Sequence, residues 1–249
     1  MSSFKIFISS NNRDYGTNSN YTVSFPNMQI QNQEVKLGIE QFIMPNLTFP
    51  IRAGKNKLII NEGGGDLTVT IPDGSYTSTL FCTALKDALD LAGALTYSCT
   101  ISATTNYLTI SATGAFTLKI SSASTSSVMW QILGFSNSYS TSAASHTGIY
   151  PVRTSGDDYL FIEITNLSNN NLNSAYPTYS ILDAVPINCN FGDVVFYKGS
   201  ESNYTLSLDD ELNQVSIRLR DQYGNDYPIP VNSYFFMTLR AESSSFPEV

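Results

Sequence analysis

Nucleophilic catalysis needs a serine or cysteine beside a general base, and the only histidine in this chain is His146. Any Ser-His-Asp or Cys-His arrangement would have to use it. It lies in a Ser- and Thr-rich run, residues 136–147, that reads as a solvated loop. No GxSxG turn surrounds any serine. His146 is therefore expected to be an inert surface residue. The three cysteines, Cys82, Cys99 and Cys189, are scattered and form no CxxC pair, so zinc would lack its closely spaced ligands. They read as reduced thiols packed like small apolar side chains. Gly63-Gly64-Gly65-Asp66 lacks the Lys-Ser/Thr pair and the following helix of a phosphate loop, and reads as a hairpin turn. Asp157-Asp158 and Asp209-Asp210-Glu211 gather carboxylates, the raw material of glycoside hydrolysis or calcium binding. Calcium-loop spacing is missing, and adjacent residues on a strand point to opposite faces, so both clusters read as solvated turns. The Asn-rich stretch 166–176 has the amides and the tyrosine that a glycan site uses, but such a stretch is also simply a loop. No catalytic, cofactor-binding or metal-binding residue is expected.

Composition points away from the same functions. Thirteen basic and 21 acidic side chains in 249 residues give a net charge of −8. That balance carries no basic stripe, and direct nucleic-acid binding is not expected. Only 14% of residues are charged, against about 25% in an average soluble protein. Ser, Thr and Asn supply most of the polarity, which disfavours a long-helix protein. No apolar run approaches the roughly 18 residues of a transmembrane helix. The apolar run near the N-terminus is too short for a signal peptide.

The elements follow from periodicity. Apolar and polar residues alternate with period two at about 19–25, 35–44, 159–165, 180–185, 193–198, 204–208, 214–221 and 234–242, the pattern of strands with one buried face. Between them, residues 57–150 have another texture. A hairpin around the three glycines precedes an amphipathic helix at 78–92, with Thr77 or Ser78 as its cap and Gly93 as a left-handed terminator. Three short strands follow, at 97–102, 107–111 and 116–121, with a helical turn at 128–133 stopped by Gly134. The expected architecture is mostly β: a single eight-stranded antiparallel jelly roll from 19–56 and 151–249, an inserted α+β domain at 57–150, and an N-terminal arm at 1–18.

Several segments in order carry a resemblance. They are Ser9-Ser10-Asn11-Asn12-Arg13-Asp14, Tyr21-Thr22-Val23-Ser24-Phe25-Pro26, Val35-Lys36-Leu37, and Ile43-Met44-Pro45-Asn46-Leu47-Thr48-Phe49-Pro50-Ile51. Further along stand Thr70-Ile71-Pro72-Asp73-Gly74-Ser75-Tyr76-Thr77, Ile132-Leu133-Gly134-Phe135, Tyr159-Leu160-Phe161-Ile162 and Ile217-Arg218-Leu219-Arg220-Asp221. Together they resemble the penton, or vertex minor capsid, proteins of double-jelly-roll-lineage double-stranded DNA viruses, virophages and related elements. The resemblance implies a structural virion protein, with a single upright jelly roll, five copies of which close each icosahedral fivefold vertex. Its partners would be itself, as a homopentamer, the major capsid protein and other minor capsid proteins. Arg13 and Asp14, on the N-terminal arm, are the candidate interface residues, tethering the chain to neighbouring shell proteins. The alternative is a jelly-roll receptor- or glycan-binding module of a viral fibre or tail.

Overall fold

The computed structural model describes residues 2–25, 33–165, 181–199, 204–207 and 214–245. In chain order the strands are β1 (Ser2–Ser9), β2 (Tyr15–Gly16), β3 (Asn20–Ser24), β4 (Gln33–Pro45), β5 (Lys57–Asn61) and β6 (Asp66–Thr70). The helix α1 (Ser78–Ala92) leads to β7 (Tyr97–Ile101) and β8 (Leu108–Leu118), then to α2 (Met129–Leu133) and β9 (Ala143–Thr147). The remaining strands are β10 (Tyr159–Ile164), β11 (Ile181–Pro186), β12 (Val194–Lys198), β13 (Tyr204–Ser207), β14 (Gln214–Asp221) and β15 (Phe236–Ser245). Each of the eight alternating segments is a strand. The chain forms two units, Met1–Thr48 with Asp157–Val249, and Phe49–Gly156.

The first unit holds two antiparallel five-stranded sheets. One runs β1-β15-β4-β12, with β13 pairing to β4 beyond β12; the other runs β11-β10-β14-β3-β2. One apolar core is drawn from both, including Ile8, Phe42 and Leu239 of the first sheet and Ile162, Ile217 and Tyr21 of the second. A parity change within β4 shows how local sequence meets this core. Leu37 and Ile39 are buried, and so are Phe42 and Met44, although 39 and 42 differ in phase. Against β15, Thr238 pairs with Gln41 while Leu239 pairs with Ile39, so Glu40 is an extra residue. That bulge restores the phase and turns both apolar pairs inward.

Two features of this unit differ from the sequence reading. Residues 2–9, read as part of an arm, form the edge strand β1, paired with β15 from Ser2↔Ser243 to Ser9↔Phe236. Ile6 and Ile8 enter the core, and Phe4 packs beside it. The exposed Phe7 between the isoleucines hides the alternation in the sequence. Second, β12 and β13 are successive segments along one edge of β4: β12 faces residues 41–45 and β13 faces residues 34–37. Between them Gly199 donates its amide to the Glu40 carbonyl at 3.1 Å. A Cβ there would fall 1.6 Å from the Ile39 carbonyl oxygen, so the close approach requires glycine.

In the second unit the sheet order is β6-β5-β8-β7, with β9 on β8, and α1 buries Phe81, Leu85 and Leu89. Thr77 Oγ1 accepts from the Leu80 amide at 3.3 Å and caps α1. Gly134 ends α2 in the left-handed region, with φ 73°. Gly93 does not adopt the left-handed conformation expected of it: its φ is −108° and its ψ 178°, an extended backbone. The Glu62 carboxylate packs onto the site: a Cβ would lie 2.0 Å from Glu62 Oε1, so another residue there would have to push that carboxylate aside. The expected strands at 107–111 and 116–121 merge into β8, whose register breaks between Ser111 and Phe116. The run expected to be a loop contributes β9. Hydroxyls align its pairing with β8, Thr109 with Thr147 at 3.0 Å and Ser111 with Ser145 at 2.8 Å.

Candidate interaction surfaces

His146, expected on a surface loop, is instead a buried residue of β9. Its Nε2 lies 2.9 Å from the Phe116 carbonyl oxygen, and its ring meets the Phe116 ring edge-on at 4.5 Å. Pairing of β9 with β8 turns this side chain inward, and no alternation of large residues in Ala-Ala-Ser-His-Thr signals that. The three cysteines are free and half-buried. Burial, reinforced by the neighbouring Cys82, pushes the Cys99 thiol up to about 12. A thiol held that high is a poor nucleophile at neutral pH. Among the described residues no group of His, Cys, Asp and Glu could hold a metal ion, and no helix is long and apolar enough to cross a membrane.

The charged clusters serve the fold. On the second sheet Glu163 and Arg220 form an ion pair at 2.6 Å, each side chain only 7% exposed. The Arg220 guanidinium also donates to the Gly224 carbonyl at 2.9 Å. Asp221, one residue on, accepts the amides of Tyr223 and Asn225, both at 2.9 Å, through Oδ1 and so fixes the turn after β14. Of the acidic pair at 157–158, Asp157 is buried and the Asp158 amide donates to Gln222 Oε1 at 3.1 Å. Asp209-Asp210-Glu211 and the Asn-rich stretch 166–176 lie outside the described residues.

Arg13 and Asp14 stand together in the link between β1 and β3. Arg13 donates through Nε to the Gly16 carbonyl at 3.2 Å and through a terminal nitrogen to the Ser10 carbonyl at 2.8 Å. Asp14 accepts the Ser24 amide at 2.6 Å, and its own amide donates to the Thr22 carbonyl at 2.9 Å. Nearby, the buried Asn18 side chain donates to the carbonyls of Pro230 and Ser233, at 2.9 and 3.1 Å. It thereby ties the β2–β3 turn to the approach to β15.

The outward face of the first sheet is of a different kind. Opposite the core, one cross-strand row runs Ser9, Phe236, Ile43, Phe196 over β1, β15, β4 and β12. Phe7 lies diagonal to Phe236 and its ring stacks there at 6.3 Å between centroids. Val194, two residues from Phe196 on β12, extends the apolar surface toward Pro45. Exposures are 64% for Phe7, 57% for Phe196, 55% for Val194 and 37% for Phe236. Two ion pairs flank the row, Lys5–Glu40 at 2.6 Å and Arg240–Glu242 at 3.5 Å. Sequence reasoning did not single these residues out. The available signal was the unbroken run Val194-Val195-Phe196-Tyr197, in which the phase that should be polar is apolar as well.

No protein-family model matches the chain. No curated protein sequence matches it either. A solved structure does: the crystal structure of the mavirus penton protein aligns with a TM-score of 0.56 at 12% sequence identity, over 98% of this chain and 100% of that one. At that identity the likeness is one of architecture, and this mostly β chain shares the fold of the mavirus penton protein.

Proposed function

We propose that the chain is a structural virion protein, a penton of which five copies close each fivefold vertex and contact the surrounding major capsid trimers. The observation that carries this reading is the extent of the fold likeness, which takes in both units and the whole of the other chain. The strand order supports it. If β12 and β13 count as one position, the two sheets read β1-β15-β4-β12/β13 and β11-β10-β14-β3, eight positions of one jelly roll with β2 added at an edge. In this reading β1 is the first strand of the roll, and the link that follows, organised by Arg13 and Asp14, lies where neighbouring shell proteins are met. A closed ring of five copies uses a head-to-tail contact, so two different surfaces of each copy are engaged. The net charge of −8 favours shell proteins over the genome as partners. Particle density tests the proposal directly. Averaged reconstructions should place this fold at the fivefold positions; density for it only in a fibre or tail would overturn the reading.

A further inference from the structure

We propose that the outward face of the first sheet, centred on Phe7, Phe236, Ile43 and Phe196, is the surface on which a second copy of this chain docks. The inference deepens the penton reading and rests on it for the arrangement of copies. A strand turns alternate side chains to opposite faces, so residues opposite the core should be polar if water is their final environment. Here three phenylalanines and Val194 occupy that phase. Their exposed portions, at about 200 Å² per aromatic side chain, make an apolar surface of about 400 Å².

Size and charge argue for a second copy as the occupant. A stable two-body interface covers about 800 Å² on each partner. The apolar row is half of that, the dimension of an interface core with a polar rim around it. Such a contact is weak between two free molecules and strong when repeated around a closed ring. Two copies carrying −8 each also repel one another. The row itself is uncharged, and the carboxylates of Glu40 and Glu242 beside it are matched by Lys5 and Arg240. Like-charged copies can meet there without bringing uncompensated carboxylates together. On the second sheet the same phase is broken up: Tyr15 is exposed at one edge and Tyr159 meets Phe161 edge-on on β10, but between them Thr22 and Ser216 pair through their hydroxyls at 2.8 Å and Glu163 is neutralised by Arg220.

The test combines photocrosslinking with sedimentation of the full chain. Phe196→p-benzoylphenylalanine, irradiated over a concentration series, should give a covalent adduct of two copies, with the linked residue mapped by mass spectrometry. Linkage from position 196 to a surface outside the row supports both this proposal and the ring. Linkage from row to row supports docking of a second copy but overturns the ring, because it marks a twofold contact. Phe7→Ser combined with Phe196→Ser should leave far-UV circular dichroism unchanged and weaken self-association by about tenfold or more. Failure to form the adduct, or self-association unchanged in the double variant, overturns the docking proposal. The penton reading would then still stand or fall on the particle density.

Discussion

The β faces turned outward differ between the two units. On the second unit, β8 and β9 meet through paired hydroxyls, Thr109 with Thr147 and Ser111 with Ser145. On the first unit, the corresponding phase of β1, β15, β4 and β12 carries Phe7, Phe236, Ile43 and Phe196. Both patterns alternate, and both bury the other phase. Hydroxyl pairs are satisfied with or without water, so such a face can stay wet at no cost. An apolar row gains only when something covers it. The placement of carboxylates differs too. The first unit encloses the ion pair Glu163–Arg220, whereas the second sets carboxylates at its surface to hold turns, with Glu62 accepting the amides of Ala94 and Leu95 and the hydroxyl of Tyr97. Alternation alone therefore says which residues lie on one face, and the chemistry of the outward phase says what that face is for.

The sharpest way to break this division of labour is to remove residues 2–9. If β1 is an integral strand, its loss deletes Ile6 and Ile8 from the core, a cost of about 4–10 kcal/mol on the scale of truncated buried isoleucines, and strips β15 of its edge partner. Protease resistance and circular dichroism of the first unit should be lost. The single tryptophan, Trp130, belongs to α2 and reports the second unit, so its emission should keep its folded character. A chain that keeps the first unit folded without these residues would return β1 to the status of an arm.

Next in size is the buried pair. Arg220→Met leaves the Glu163 carboxylate buried without its partner and should cost about 3–5 kcal/mol in denaturant unfolding. Adding Glu163→Leu should recover most of the loss, since a well-packed apolar pair of similar volume is close to neutral. Absence of recovery would mean that the two side chains do not act as a unit. In the second unit, Gly93→Ala should destabilise by about 1 kcal/mol, read from Trp130, because its Cβ pushes the Glu62 carboxylate off the amides it accepts at the end of α1. A neutral result would show that the glycine is replaceable and the Glu62 contact dispensable.

Acid should separate the units further, by a smaller amount. Burial acts to raise the Glu62 pKa, but the Ala94 amide, the Tyr97 hydroxyl and the Leu95 amide outweigh it and hold the carboxyl below its ordinary value. The Lys119 ammonium and the Asn61 amide lower Asp66, and the Lys86 ammonium with the Tyr97 amide lowers Asp90. A carboxyl lowered in the folded state stabilises above its unfolded value, about 4, and that contribution disappears as pH falls through the folded value. The Trp130-monitored midpoint should therefore drop as the solution is acidified below about pH 4, with a shallower drop in Glu62→Gln. These groups are largely exposed, and solvent screening keeps each contribution small. Smallest of all is Tyr21→Phe. The Tyr21 ring is 2% exposed and its hydroxyl finds no partner among the described residues, while burial raises its pKa. Removing an unsatisfied hydroxyl should be neutral or stabilising by about 1 kcal/mol; a clear loss of stability would reveal a bond to that oxygen.

Strand positions were legible because period two is a local property: Val215, Ile217 and Leu219 declare their shared face without knowledge of any partner. The helix at 78–92 was legible for the same reason, its spacing and its Thr77 cap both lying within one stretch of chain. What escaped depends on pairing. Strand β1 was obscured because Phe7 is as apolar as its neighbours Ile6 and Ile8, and only the register against β15 decides which phase goes inside. His146 was missed because β9 is weakly patterned and is ordered by β8, about thirty residues away. The candidate surface was half-visible, as apolar runs whose outward members could not be told from their inward ones.

By itself the sequence determined that this is a mostly β protein whose segments alternate, and it supplied no clustered nucleophile, base and ligand set. Tertiary structure decided the phase of each ambiguous run, the bulge that turns Phe42 and Met44 inward, and the burial of His146. It also decided the alignment of Phe236, Ile43 and Phe196 from three distant stretches into one row. The physical reason is that alternation is set by bonds within a strand, whereas register is set by hydrogen bonds and packing between strands far apart in the chain.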